Sequence, residues 1–89
     1  MISRGEALVS AREGLHARPA ANFVRSVELS GHEVTVSNSA GLSASGSSIL
    51  GVLSLGIKHG EKVSIEVSGP DAQRVLESLI AVVSGANQG

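Results

Sequence analysis

The sequence predicts an α+β fold, an open-faced sandwich in which a four-stranded antiparallel sheet carries three helices on one face, in the order βαββαβα. Two periodicities in the 89-residue chain predict it. Lys62 to Ser68 alternates polar and apolar residues with the two-residue period of a half-buried strand. Residues 17–29 and 72–83 instead repeat apolar residues at helical spacing. Because no repeat or linker divides the chain, we expect one domain over residues 1–89.

The first strand and helix are predicted from the N-terminal third of the chain. A short apolar group bounded by glycines predicts a strand over residues 6–11. The helix over residues 17–29 has Pro19 in its first turn and Gly31 as its stop. Its predicted buried face is Ala20, Phe23, Val24 and Val27.

A hairpin and a short helix are predicted next. The β-branched run Val34-Thr35-Val36 predicts a strand, and the turn-rich residues 37–41 lead into a return strand over 42–45. Ser47-Ser48 offers an N-cap for a short apolar helix over 49–55. After the strand 62–68, Gly69-Pro70-Asp71 begins the last helix, which Gly85 ends. Its predicted buried stripe is Ala72, Val75, Leu76, Leu79, Ile80 and Val83.

Composition excludes several classes of function. With 7 Lys+Arg against 8 Asp+Glu and one aromatic residue, the chain lacks the basic charge and stacking surfaces of nucleic-acid-binding proteins. Having no cysteine, it has neither disulfides nor thiolate sites. The N-terminus lacks an apolar signal segment, and no run reaches the length of a membrane span. We therefore expect a cytoplasmic protein, without membrane insertion.

The candidate reactive residue is His16, in the segment Gly14-Leu15-His16-Ala17-Arg18-Pro19-Ala20. The segment joins the first strand to the first helix, where free backbone N–H groups and the positive end of the helix dipole favour anions. A neutral imidazole has a ring nitrogen that can attack phosphorus, and Arg18 supplies a fork of donors for phosphate oxygens. The alternative is a histidine that only caps the helix or lies on the surface beside an unrelated arginine.

This seven-residue segment resembles the active-site signature of the HPr family of the bacterial phosphotransferase system, and the order of elements agrees over residues 6–85. The resemblance implies that His16 is the phosphorylated residue and that Arg18 stabilises the phosphate. Enzyme I, charged by phosphoenolpyruvate, is then the donor, and IIA domains of sugar permeases are the acceptors. It implies a monomeric carrier, not an enzyme.

A second segment, Ser48 to Gly56, is similar to the regulatory-serine helix of family members controlled by a serine kinase. The resemblance implies that Ser48 accepts a phosphoryl group from an HPr kinase/phosphorylase, in control of a transcriptional regulator. It also implies a docking patch of Ala17, Ala21, Ile49, Leu50 and Leu53. Ser48 has a purely structural alternative, because serine is a common N-cap.

The sequence departs from the family pattern at several positions. Glu13 and Glu28 place negative charge near the expected docking surface, and Ser47 leaves the choice between two adjacent serines open. The C-terminal tail, residues 85–89, is neutral instead of acidic. Two other functions stay open: a carrier in a nitrogen-related or dihydroxyacetone-kinase phosphorelay, and an interaction module that is never phosphorylated on histidine.

The remaining histidines and glycines predict no further site. His32 and His59 each lie beside a glycine without a second ligand at metal-binding spacing, so we expect solvated turn residues and no metal. The glycines form neither GxGxxG nor a phosphate-binding P-loop. We expect no cofactor.

Overall fold

The elements follow the predicted order βαββαβα in the computed structural model, which describes residues 1–85. The predicted domain ends at residue 89, and most of the neutral tail, residues 86–89, lies outside the described residues. The seven elements are β1 Ile2–Leu8, α1 Ala17–Ser30, β2 Glu33–Ser37, β3 Ser43–Ser45, α2 Ile49–Ser54, β4 Lys62–Ser68 and α3 Ala72–Ser84.

The four strands form one antiparallel sheet in the order β1-β4-β2-β3. The alternation predicted for β4 is confirmed, because Val63, Ile65 and Val67 are fully buried while the residues between them are partly exposed. The helices cover this apolar face, with α3 packed on β1 and β4 and α1 packed on α3. The sandwich is therefore open on the other face, as the sequence predicts.

The two long helices bury the faces that helical spacing predicts. In α1 the buried residues are Ala20, Phe23, Val24 and Val27, and in α3 they are Ala72, Val75, Leu76, Leu79 and Val83. Ile80, the remaining member of the predicted stripe, packs against the core and is only partly buried. Each fully buried large aliphatic or aromatic side chain contributes about 1.5–3 kcal/mol to folding. Helix packing on the sheet is thus the main source of stability.

The predicted range of the first strand, residues 6–11, is wrong: β1 begins earlier in the chain and covers Ile2–Leu8. It pairs with β4 along its whole length, from Ile2 opposite Ser68 to Leu8 opposite Lys62. Its less exposed positions hold small residues, because a Cβ added at Gly5 would lie 3.0 Å from Ile80 of α3. Close packing by α3 therefore removes the large apolar residues that would have revealed the alternation.

The other boundaries differ from prediction by one residue. Helix α1 ends at Ser30 and not at residue 29, and its C-cap Gly31 has the left-handed φ of 69° that the predicted stop requires. Helix α2 ends at Ser54, with Leu55 as its C-cap. Strand β3 begins at Ser43, since Leu42 still belongs to the turn, where its N–H donates to Asn38 Oδ1. The predicted strand β2 extends one residue further at each end.

His32 is not the solvated turn residue that the sequence predicts. Its ring is half-buried: Nδ1 donates to the carbonyl oxygen of Ser30 at 2.7 Å, and Nε2 accepts from the Asp71 N–H at 3.1 Å. A Cβ on Gly69 would lie 2.4 Å from the same ring. His32 therefore joins the α1–β2 turn to the start of α3. His59, in contrast, is exposed.

The uncovered sheet face is polar at its centre, and Ile2 and Leu8 are exposed at the two ends of β1. Arg4 of β1 faces Glu66 of β4 and donates to its carboxylate, while Lys62 Nζ lies 3.8 Å from Glu6 Oε1. Such exposed pairs contribute little stability, and they keep this face from burying against an apolar surface. Within residues 1–85, α1 is the longest helix with 14 residues, and none has the length and apolar character needed to cross a bilayer.

Candidate functional site

The segment that carries His16 lies on the loop between α2 and β4. The Leu15 N–H donates to the carbonyl oxygen of Ile57 at 3.0 Å, and the Leu15 side chain is buried. Gly14 has a left-handed φ of 73°, and a Cβ there would lie 2.2 Å from the Ile57 oxygen. No side chain larger than hydrogen fits this approach. The predicted strand-to-helix segment is therefore held rigidly just before the histidine.

His16 is the N-cap residue of α1. Its backbone is extended, with φ −129° and ψ 165°, and its half-buried side chain makes no capping hydrogen bond within residues 1–85. The capping alternative therefore has no support in the geometry. His16 directly precedes the first N–H groups of α1, which have no intrahelical acceptors, and Pro19 removes one of these donors. This arrangement leaves an imidazole beside donors suited to phosphate oxygens.

The residue after His16 has an unusual backbone. Ala17 has φ 50°, the sole positive value at a non-glycine residue among residues 1–85. A left-handed alanine costs about 1–2 kcal/mol, so the strain persists only because neighbouring residues fix the chain. Leu15 is buried before it and Ala20 after it. The histidine thus lies in a strained connection between two anchored residues.

Arg18 and a cleft lie beside the histidine loop. Arg18 is exposed and makes no ion pair within residues 1–85. It lines a cleft of about 750 Å³ together with Arg12 and Glu13. The walls of the cleft come from the loop, from α1 and from the last residues of α3, Ala81 to Val83. A guanidinium without an internal partner is available to an incoming phosphate.

Ser48 caps α2. Its Oγ accepts from the Gly51 N–H at 3.0 Å, and the residue is half-buried. Ser47 is exposed, and its Oγ lies 3.0 Å from that of Ser45. The structural alternative for Ser48 is therefore real. A capping role and phosphorylation are compatible, because the free N–H groups of a first turn also donate to phosphate oxygens.

The predicted docking residues lie on two neighbouring helices. Ala17 and Ala21 are exposed on α1, one turn apart. On α2, Leu50 is 77% exposed and Ile49 is 39% exposed, whereas Leu53 packs against the core and is only partly exposed. Helix α2 packs against α1, and two residues after its C-cap the chain reaches Ile57 under the histidine loop. Ile49 and Leu50 thus provide most of the exposed apolar surface of α2.

Residues of the α2–β4 loop were missed by the sequence reasoning. Ile57 is fully buried and its carbonyl anchors Leu15, while His59 Nδ1 lies 3.2 Å from the Ala11 oxygen. The Gly60 N–H donates to Val9, also at the start of the histidine segment. None of these contacts has a local sequence signal, because they join positions more than forty residues apart.

Comparison with known proteins agrees with this geometry. The profile of the PTS-HPr family, described as the PTS HPr component phosphorylation site, matches residues 4–84. A phosphocarrier protein HPr from Vibrio cholerae is 37% identical over 75 residues, covering 84% of this chain and 87% of that protein. One from Streptomyces coelicolor is 39% identical over 72 residues, covering 81% and 77%. The crystal structure of a phosphocarrier protein HPr from Bacillus anthracis superimposes with a TM-score of 0.87 at 34% identity, covering 92% of this chain and 96% of that one.

Proposed function

Because the chain belongs to the PTS-HPr family of phosphocarrier proteins, we propose that His16 accepts a phosphoryl group from Enzyme I and passes it to IIA domains of sugar permeases. The observation that supports this most is the position of His16 at the start of α1, with no capping hydrogen bond within residues 1–85 and with the exposed Arg18 two residues later. The protein is then a substrate of its partners and not an enzyme. It acts in the cytoplasm as a monomer.

Transfer at this site needs one bond to form and one to break. A neutral ring nitrogen of His16 attacks the phosphorus of the phosphohistidine on Enzyme I in line, forming a new P–N bond. The old P–N bond breaks, and its electron pair stays on the donor imidazole. Backbone N–H groups of the first turn and Arg18 meet the phosphate oxygens. Attack by the IIA histidine repeats the exchange, so an open site serves both partners.

The proposed function is tested by incubating the protein with Enzyme I and phosphoenolpyruvate and measuring its intact mass. We expect a single phosphoryl adduct that is lost in acid, and its disappearance when an unphosphorylated IIA domain is added. Absence of the adduct in a folded sample contradicts the carrier function. An adduct that resists acid contradicts a histidine as its site.

Arg18→Glu slows phosphoryl transfer without unfolding the domain. The side chain is exposed and has no ion pair within the described residues, so its loss leaves packing unchanged. A carboxylate beside His16 repels the phosphate oxygens, and we expect the rate of transfer from Enzyme I to fall by about tenfold or more. Rapid-quench measurement of phosphorylated protein gives the rate.

Two matched variants serve as controls for the effect of Arg18→Glu on the transfer rate. Arg74→Glu makes the same charge change on α3, where Arg74 pairs with Asp71, and it should transfer at close to the wild-type rate. Arg18→Lys keeps the charge but loses the planar fork, and should lie between wild type and Arg18→Glu. Near-normal transfer by folded Arg18→Glu removes Arg18 from the mechanism.

Regulation at Ser48 is a second part of the proposal. An HPr kinase/phosphorylase adds a phosphoryl group to Ser48, and the modified protein controls a transcriptional regulator. The support is the position of Ser48 directly before the exposed Ile49 and Leu50. The N-terminus of α2 accommodates the dianionic phosphate on Ser48. This phosphate must nevertheless lose its hydration water when a partner covers the nearby Leu50. Docking is therefore weakened while the fold is kept.

Phosphorylation of Ser48 slows phosphorylation of His16 by Enzyme I, by about tenfold. Ser48→Asp is a partial mimic with a smaller effect, and Ser47→Asp, at the exposed neighbour, has less effect still. Circular dichroism and thermal melting should be close to wild type in both variants. Equal transfer rates for wild type and stoichiometrically phosphorylated Ser48 protein leave Ser48 as a helix cap alone.

Transfer partners also separate the remaining alternatives. A nitrogen-related or dihydroxyacetone-kinase relay uses the same histidine chemistry, so it differs from the sugar branch only in which acceptor discharges phosphorylated His16. An interaction module without histidine phosphorylation instead uses Ile49, Leu50 and Leu53, with Ser48 as a switch. The histidine at the start of α1, which makes no capping hydrogen bond within residues 1–85 and is followed two residues later by the exposed Arg18, favours a carrier, because such a module has no use for this pair.

A further inference from the structure

Glu61 lies in the loop between α2 and β4, and its carboxylate accepts three hydrogen bonds. Oε2 accepts from the backbone N–H and the Oγ–H of Ser39 at 2.9 and 2.7 Å, and Oε1 accepts from the Lys58 N–H at 3.0 Å. The Ser39 N–H, followed by the Lys58 N–H, lowers the pKa of Glu61 below its ordinary value of 4.5. The side chain therefore ties the loop 57–61 to the β2–β3 turn.

The loop held by Glu61 is the support of the histidine segment. Ile57, next to Lys58, accepts from the Leu15 N–H at 3.0 Å. At the other end of the segment, the Gly60 N–H donates to the Val9 oxygen at 2.8 Å, and the Val9 N–H donates to the Glu61 backbone oxygen at 3.1 Å. The chain is thus fixed to residues 57–61 both before and after it forms the loop 10–14.

We propose that Glu61 is a positioning residue for phosphoryl transfer, whose carboxylate holds residues 57–61 in the place that fixes Leu15 and, through it, His16. This inference rests on the proposed function of His16. In-line transfer needs the attacking nitrogen aligned with phosphorus, and misplacement by about 1 Å costs up to about a hundredfold in rate. Glu61 acts through the backbone and does not touch the phosphoryl group.

The ionised carboxylate of Glu61 is the form that holds residues 57–61 in place. Its own loop contributes Lys58 and His59, the turn 38–42 contributes no ionisable residue, and the loop 10–14 held against residues 57–61 carries Arg12 and Glu13. Lys62, the next residue, lies 3.8 Å from Glu6 on the open sheet face. Because the pKa is lowered on folding, the carboxylate contributes stability that is fully present above the unfolded value. That contribution is lost as pH falls below 4.5 and through the lower folded pKa.

Amide NMR on the free protein tests the coupling, without any partner. In wild type we expect the Leu15 and Gly60 N–H resonances to shift in acid with a common midpoint below 4.5. In Glu61→Gln, which keeps the side-chain size but replaces one acceptor oxygen with a donor, this titration is absent. The control Glu66→Gln removes a carboxylate that binds Arg4 on the open face, and retains the titration. A Leu15 shift that persists in Glu61→Gln overturns the proposal.

Transfer kinetics at neutral pH test the consequence. We expect transfer from Enzyme I to fall about three- to tenfold in Glu61→Gln, with the wild-type rate in Glu66→Gln and partial recovery in Glu61→Asp. A folded Glu61→Gln protein that transfers at the wild-type rate overturns the positioning role. If wild type itself is never phosphorylated, the proposed function fails and the transfer role fails with it. The wild-type amide titration still decides whether Glu61 holds the histidine segment.

Discussion

Replacement of His16 by alanine abolishes phosphoryl acceptance from Enzyme I. The His16 imidazole is the proposed nucleophile, and alanine supplies no lone pair in its place. The fold is expected to survive, since the His16 ring is half-buried and caps no backbone group within that span. Intact-mass measurement after incubation with Enzyme I and phosphoenolpyruvate should show only the unmodified protein.

The matched control is His59→Ala. His59 is exposed, and its ring Nδ1 lies 3.2 Å from the backbone oxygen of Ala11. This variant keeps His16 and should still acquire one acid-labile phosphoryl group. An adduct on His16→Ala, or loss of the adduct in folded His59→Ala, contradicts the assignment of His16.

Gly14→Ala strongly destabilises the domain. The residue has φ 73°, and an alanine Cβ would lie 2.2 Å from the Ile57 oxygen and 2.9 Å from Lys58 Cα. Both are backbone atoms, so relief requires the histidine segment and its supporting loop to separate. We expect the free energy of unfolding to fall by about 3 kcal/mol or more, measured by urea denaturation.

Gly60→Ala separates the two causes of that loss. Gly60 has nearly the same backbone, φ 79°, but no atom lies within 4 Å of the added Cβ. In Gly60→Ala the free energy of unfolding should therefore fall only by the cost of a left-handed alanine, about 1–2 kcal/mol. The difference between the two variants measures the close approach of Gly14 to Ile57. Equal destabilisation of both would mean that the histidine segment is not packed on this loop as described.

The parts of the fold with strong local patterns were predicted from the sequence. Strand β4 alternates large aliphatic residues with polar ones, and α3 presents a continuous stripe of them, so each buried face is visible in the chain. Strand β1 was displaced because its less exposed residues are small, where α3 approaches Gly5 closely. Hydrophobic periodicity depends on side-chain size as well as on orientation. It therefore does not reveal a strand whose backbone is in direct contact with a helix.

The candidate site divides in the same way. His16 and Arg18 belong to one short segment, which carries the family signature and lies at a predicted helix start, so they could be found without a structure. The positioning role proposed for Glu61 could not be found in this way, and neither could the link that His32 makes between the α1–β2 turn and α3. Each acts through hydrogen bonds to residues distant in the sequence, Ser39 in one case and Asp71 in the other. Such contacts depend on the packing of loops, and a single sequence carries no periodic trace of them.

Locating the phosphoryl group on the wild-type protein decides whether His16 is the phosphorylated residue. After phosphorylation by Enzyme I, proton–phosphorus correlation NMR should connect the single phosphorus resonance to the ring protons of His16, with those of His32 and His59 unchanged. Addition of unphosphorylated Enzyme I and pyruvate should then remove that resonance. A phosphorus resonance coupled to another histidine or to a serine would contradict the account.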